Sequence, residues 1–370
     1  MKKFHIRKRY SVLIIICLFM VLLNVLSRLC SPFADFYTKK IFPLFSNPVS
    51  FLTGLFPFSV GEIFILFGIL LVLVGVPCTV LLLIFGKNFR KKTASTACFI
   101  YLLVFTFILT TETMNCFIMY QCTPFSEKYL KHSDHTESQI TELYSLLIEK
   151  TNDLAEKVSR DDMNCFEFTE DVNPEAKKAM KKAGETFPQL KGYYPKAKPI
   201  QFSYFMSQSH LTGIYFPFSL ESNYNDDMCR TNLPETVCHE FSHLKGFIQE
   251  DEANFISFYA TTQCSDNLSF QYSGYLSALE YVHNEIYNQN ISGAFYLTDN
   301  ISDNVRRDWF RFMPDNYWEE NVEKEVIPTE TVSTVSTTAI DTNIKANGRT
   351  DGIKSYSLVV ELLLDFYYPA

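Results

Sequence analysis

Residues 233–254 read LPETVCHEFSHLKGFIQEDEAN, and this stretch decides how the rest is read. His239 and His243 are four apart, so on a helix they share a face and reach one point in space. Leu233-Pro234 suits a helix start and Gly246 a helix stop. Val237 and Phe241 are available for the buried side. Zinc takes nitrogen ligands and imposes no d-electron geometry. Glu240, next to His239, is placed to draw a proton from a water that the cation has acidified. His239 and His243 are therefore the expected metal ligands, and Glu240 the expected general base.

A zinc site of this kind needs a third protein ligand and an open fourth position. Glu250-Asp251-Glu252-Ala253-Asn254 begins seven residues after His243. A turn at Gly246 brings a second helix back, with Glu250 facing the histidines. Glu250 and Asn254 share a face, so Asn254 is expected to orient a ligating histidine from behind. Glu252 points about 160° away from Glu250 on an ideal helix, so only one of the two can ligate. Glu250 is the preferred ligand and Glu252 the alternative.

Outward from this centre, composition sets the setting. The chain has 370 residues and is 47% apolar, with 34 phenylalanines. The apolar excess collects in the first third, which indicates membrane spans followed by an ordinary folded domain. Spans are expected at about residues 11–27, 63–85 and 94–119, with Pro77 kinking the second. The first follows Lys2, Lys3, Arg7, Lys8 and Arg9. No small-residue cleavage site follows it, so it reads as a retained span rather than a signal peptide. Lys87, Arg90, Lys91 and Lys92 lie between the second and third spans. By the bias of basic residues, the N-terminus and this loop are cytoplasmic, and residues 121–370 form an extracytoplasmic domain. Glu112 should lie near an interface or face other helices.

The net charge of −8 argues against a nucleic-acid partner. Phosphate-loop, dinucleotide and nucleophile-elbow motifs are missing. The ten cysteines form no C-x-x-C pair, so no zinc ribbon is expected. Cys122, Cys165, Cys229, Cys238 and Cys264 are available to pair outside the cell.

The later domain reads as α+β. Helices are expected over Glu137–Arg160, from Asn173-Pro174 to Glu185, over Phe247–Thr262 and Tyr272–Tyr287, and over Ser355–Phe366. One or two strands are expected between Pro199 and Phe218, including Gly213-Ile214-Tyr215-Phe216. The Ser/Thr-rich stretch Thr329–Thr338 reads as a loop, and Lys345–Asp351 as a turn.

The motif HEFSH followed by EDEAN resembles the gluzincin peptidases, in which the first Glu of the second helix is the third ligand. Carried over, that residue is Glu250, with Asn254 at the place of the frequent Asp. More widely, the chain resembles an uncharacterised family of bacterial membrane proteins with predicted zinc-peptidase domains. That resemblance is carried by Pro57-Phe58-Ser59-Val60-Gly61-Glu62, by Gly213 to Phe218, by HEFSH with Gly246-Phe247 and EDEANF, by Tyr272-Ser273-Gly274-Tyr275, and by Lys345 to Gly348 with Asp351-Gly352 and Ser355-Tyr356. It implies a bacterial source, a zincin-like domain, one zinc ion and peptide-bond hydrolysis; the substrate is left open between a peptide, a protein and a cell-wall cross-link.

Lesser candidates complete the reading. The strand ending at Phe218 either aligns an extended substrate or packs as an ordinary strand. Tyr272, His283 and Tyr356 are candidate donors to a developing oxyanion. His210 is expected to be structural or exposed. The rival to an enzyme is a receptor, sensor or scaffold that keeps zinc for structure. Retention of Glu240 favours catalysis, and the scarcity of ionisable residues in the spans disfavours a transport path.

Overall fold

The apolar runs become three helices long and apolar enough to cross a membrane, Lys8–Leu29, Val60–Phe85 and Arg90–Gln121. They belong to a computed structural model that describes residues 8–347 and 356–370. The second span begins where Ser59 caps its first turn by accepting from the Glu62 amide. A π-helical turn over Leu71–Gly75 interrupts it just before Pro77. Pro77 has no N–H to offer the carbonyl four residues back, and its ring crowds that carbonyl. One widened turn absorbs both effects.

The chain is mostly helical with one small sheet. Glu137–Ala155 opens the larger helical part with a capping box between Thr136 and Gln139. It packs on Leu268–Asn288. Glu250–Gln263 lies between Leu233–His243 and the closing helix Tyr356–Tyr367. Tyr144, Phe241, Phe255, Phe258, Phe270 and Tyr272 fill the buried core. Burying each such side chain contributes about 1.5–3 kcal/mol. Tyr37, Phe42, Ile118 and Met119 belong to the same core, so residues on both sides of position 120 fill it together.

Strand β1 is Lys198–Pro199, β2 is Gly213–Phe216 and β3 is Glu221–Tyr224. The order is β1-β3-β2, with β1 parallel and β2 antiparallel to β3. Gly213 pairs with Tyr224 and Phe216 with Glu221, which leaves β2 at the edge. The sheet is fastened to the motif helix by Ser222, whose hydroxyl donates to the Glu240 carbonyl at 3.0 Å.

Several local expectations are corrected. The helix from Glu137 stops at Ala155, and Arg160 instead bridges to Phe166. Asp171 caps the next helix, Val172–Thr186, by accepting from the Asn173 amide. Asn173 is occupied elsewhere, since its side chain accepts from the Ala197 amide at 2.6 Å. Between β1 and β2, Ser203–Gln208 is helical, not extended. The Ser/Thr-rich stretch is no loop but part of the helix Thr329–Ala346. The last helix runs Tyr356–Tyr367. Part of the expected turn Lys345–Asp351 lies outside the described residues. All ten cysteines are unpaired.

Candidate metal centre

The motif helix Leu233–His243 buries Val237, Cys238 and Phe241 completely, which turns His239 and His243 to the opposite side. Their ring centroids are 4.6 Å apart and nearly perpendicular. Ligand atoms of His239, Glu240 and His243 all lie within 4.8 Å of one another. The helix then ends on Gly246 at φ +88°, a left-handed conformation that costs glycine little. The Gly246 amide donates to the His243 carbonyl, and the Phe247 amide to that of Ser242. This closure reverses the chain and delivers Glu250 at the first position of the next helix.

Glu250 meets both histidines. Its Oε2 is 3.2 Å from His239 Nε2 and its Oε1 3.8 Å from His243 Nε2. The carboxylate is 46% exposed, so solvent reaches the group where the three side chains meet. Glu252 turns the other way and is buried, and its Oε1 accepts from the Phe125 amide at 2.7 Å. The geometry thus brings Glu250, and not Glu252, to the histidines.

The electrostatics follow from burial and pairing. Burial alone would lower the His239 imidazole, but the adjoining Glu250 carboxylate more than offsets this and raises it to about 10. The same contact outweighs burial at Glu250 and holds it down at about 2. His243 is pushed down to about 4, by burial first, so it is neutral near pH 7. Burial raises Glu240 to about 8, with Glu250 and Glu235 adding to the effect against His239. Its Oε2 is buried without a hydrogen-bond partner.

The donor set fits a zinc ion. His243 Nδ1 lies 2.7 Å from the Phe247 carbonyl oxygen. A carbonyl only accepts, so Nδ1 carries the proton and Nε2 presents its lone pair towards Glu250. Two imidazole nitrogens and a carboxylate then converge beside an orphaned buried carboxylate oxygen.

Other expected residues stand apart. Asn254 makes no hydrogen bond to either histidine; its carbonyl accepts from Ser257. Tyr272 is fully buried and donates to Asp308 at 2.7 Å. His283 is packed among Tyr144, Tyr287, Trp309 and Phe310. Tyr356 opens the last helix, and its side chain lies outside the described residues. His210 is exposed, at φ +54°.

Two neighbours went unread. Gly213, at the start of edge strand β2, is so close to Glu240 that a Cβ there would run into Oε1. A glycine within an expected strand is the signal for such an approach. Tyr215 sits with its ring 6.2 Å from that of His243 and donates to the Asn115 carbonyl at 3.2 Å. Asn115 in turn donates from Nδ2 to the Pro217 carbonyl at 2.5 Å. The end of the third span therefore lies directly against the site.

A mostly helical membrane protein with a two-histidine, one-carboxylate cluster at the end of a span is the class defined so far. Residues 37–364 match a family described as a protein of unknown function, DUF3810, and the chain belongs to that family. No curated protein and no solved structure gives a significant match.

Proposed function

We propose that this chain is a membrane-anchored zinc metallopeptidase with a zincin-like catalytic domain. The observation that carries this reading is the convergence of His239 Nε2, His243 Nε2 and the Glu250 carboxylate next to the buried Glu240. His239, His243 and Glu250 would hold the ion. Zinc supplies a Lewis acid that makes a water more acidic and a carbonyl carbon more electrophilic. The chain supplies the proton traffic. Glu240 takes the proton of the attacking water and returns it to the leaving nitrogen. Without a cation, burial raises the Glu240 carboxyl; a zinc ion beside it would favour the carboxylate, the form that accepts the water's proton. The edge strand β2, passing over Glu240 at Gly213, can pair with an extended peptide through main-chain hydrogen bonds. The bias of basic residues around the spans favours a domain outside the cytoplasm, where a peptide or protein substrate, the cell envelope's included, would be met.

The test is elemental mass spectrometry of the purified full chain beside His239→Ala, then peptide-library cleavage beside Glu240→Gln. One zinc per wild-type chain, lost in His239→Ala, with cleavage lost in Glu240→Gln, supports the reading. A folded wild-type protein without metal sinks it. Zinc bound without any Glu240-dependent cleavage points instead to a receptor or scaffold.

A further inference from the structure

One helix between the first two spans is apolar on the face it exposes as well as on the face it buries. Phe42–Thr53 turns Phe42, Phe45 and Val49 to the core beside Ser46 and Ser50, yet exposes Leu44, Phe51 and Leu52, at 74%, 51% and 57%. Leu44, Pro48, Phe51, Leu52 and, past the helix end, Leu55 recur at i, i+4, i+7, i+8 and i+11, so they form one stripe. All are exposed and none is polar. A helix with one face on the core and the other in water carries polar residues on the outer face. Lys39 and Lys40 lie exposed just ahead of it.

What covers the stripe is indicated by where it leads. It continues through exposed Phe56 and Phe58 into the second span, which begins at Val60. The junction is clamped on both sides. Glu221 of β3 accepts from the Val60 and Gly61 amides at 3.2 and 2.8 Å. Glu62 accepts from the Gln201 and Phe202 amides at 3.1 and 2.8 Å. Lys198 Nζ donates to the Thr53 and Phe58 carbonyls and to Glu221. The short helix Ser203–Gln208, with exposed Phe202 at its start and exposed Phe205 within it, is thereby held level with the first turn of the span.

We propose that the outward stripe of Phe42–Thr53, together with Phe56, Phe58, Phe202 and Phe205, is seated in the interfacial layer of the bilayer where the second span enters. Aromatic rings favour that layer, and a helix of this pattern beds about 5–10 Å into it. The lysines ahead of it suit lipid headgroups. This seat goes beyond the peptidase reading and stands without it. It also fixes the metal centre at the membrane surface, because Thr38, just ahead of this helix, packs under the Gly246 turn, 2.6 Å from where a Cβ would stand.

The experiment uses the full chain in lipid nanodiscs, with Phe51→Trp, Phe56→Trp and Phe202→Trp made singly. The native Trp309 and Trp318 set the wild-type baseline. All three positions are exposed, so the larger ring has room, and an unchanged melting midpoint verifies folding. In lipids brominated on the upper acyl chain, the added emission is expected to fall by about half or more, the depth expected of an interfacial helix. Added emission as bright in brominated as in plain lipid overturns the proposal. If aqueous iodide then quenches it, the stripe faces water. If iodide does not, a second copy or another protein covers it.

Discussion

The Nδ1 of His243 donates to the Phe247 carbonyl across 2.7 Å, four residues along the chain. The bond fixes the imidazole tautomer, and the Gly246 turn fixes the bond. Gly246→Ala puts a Cβ at φ +88° and 2.6 Å from the Thr38 methyl. The turn must shift, and the Phe247 carbonyl with it. Disturbing such a supporting group typically weakens metal binding about 10–100-fold. Competition against a chromophoric zinc chelator measures this directly, and unchanged affinity would mean the bond does not orient His243.

Gly213 separates binding from turnover. A side chain there collides with Glu240 Oε1, whereas Glu250 meets His239 and His243 through contacts that do not involve Gly213. Gly213→Val is expected to keep full zinc content and to lose about 100-fold in peptide cleavage, the cost of moving a reacting group by about 1 Å. Loss of zinc in this variant would show that β2 supports the ligands rather than the base.

How much of this could be read in the sequence depended on whether the cause was local. Apolar run length revealed the spans, and Pro234 and Gly246 bracketed the motif helix, because both signals act within a turn or two of their own residue. The shared face of the two histidines was legible from their i, i+4 spacing, and the approach of Glu250 from the turn expected at Gly246. The Phe247 carbonyl was not, since a backbone acceptor leaves no mark on composition, and Gly213 acquires its role only when β2 folds over Glu240. Thr329–Ala346 was misread because Ser, Thr and Val are weak helix formers whose preference is overridden here. Phe42–Thr53 escaped notice because Pro43 and Pro48 look like breakers. Pro43 sits in the first turn, where no N–H is needed. Asp171 and Asn173 both suit a cap, and Asn173 was diverted by the Ala197 backbone.

Lys198 and Glu221 form a buried pair at 2.6 Å, with side-chain exposures of 3% and 2%. Glu221 also receives the Val60 and Gly61 amides. Lys198→Met leaves that carboxylate buried with two donors and no counter-charge. Removing one partner of such a pair costs about 3–5 kcal/mol. Denaturant unfolding in detergent should show the loss while zinc content per folded chain is unchanged. A variant as stable as wild type would mean that solvent reaches Glu221.

Glu280 gives the fold a pH dependence separate from the metal ligands. Burial, with Glu235 adding to it, pushes its carboxyl from 4.5 up to about 7. The folded chain therefore holds this proton more tightly than the unfolded chain does. The resulting stability is full below about pH 4.5 and is lost as pH rises through about 7. Glu280→Gln removes the ionisation. It should melt above wild type at about pH 8 and close to it at about pH 5. Parallel melting curves at both values would place Glu280 in contact with water in both states.

Glu250 and Glu252 are two residues apart and should fail in opposite ways. Glu250 is half open to solvent, and its strongest contacts are with the two histidines. Glu250→Ala should lose zinc, and the metal-free protein should melt only modestly lower, since solvent screens the Glu250 end of its pair with His239. Glu252 is buried on the Phe125 amide at 2.7 Å. Glu252→Ala strands that amide, at about 1–3 kcal/mol, and should bind zinc as wild type does once folded. Elemental analysis paired with melting curves reads both axes. Zinc lost only in Glu252→Ala would reverse the assignment, because the helix cannot present both carboxylates to one ion.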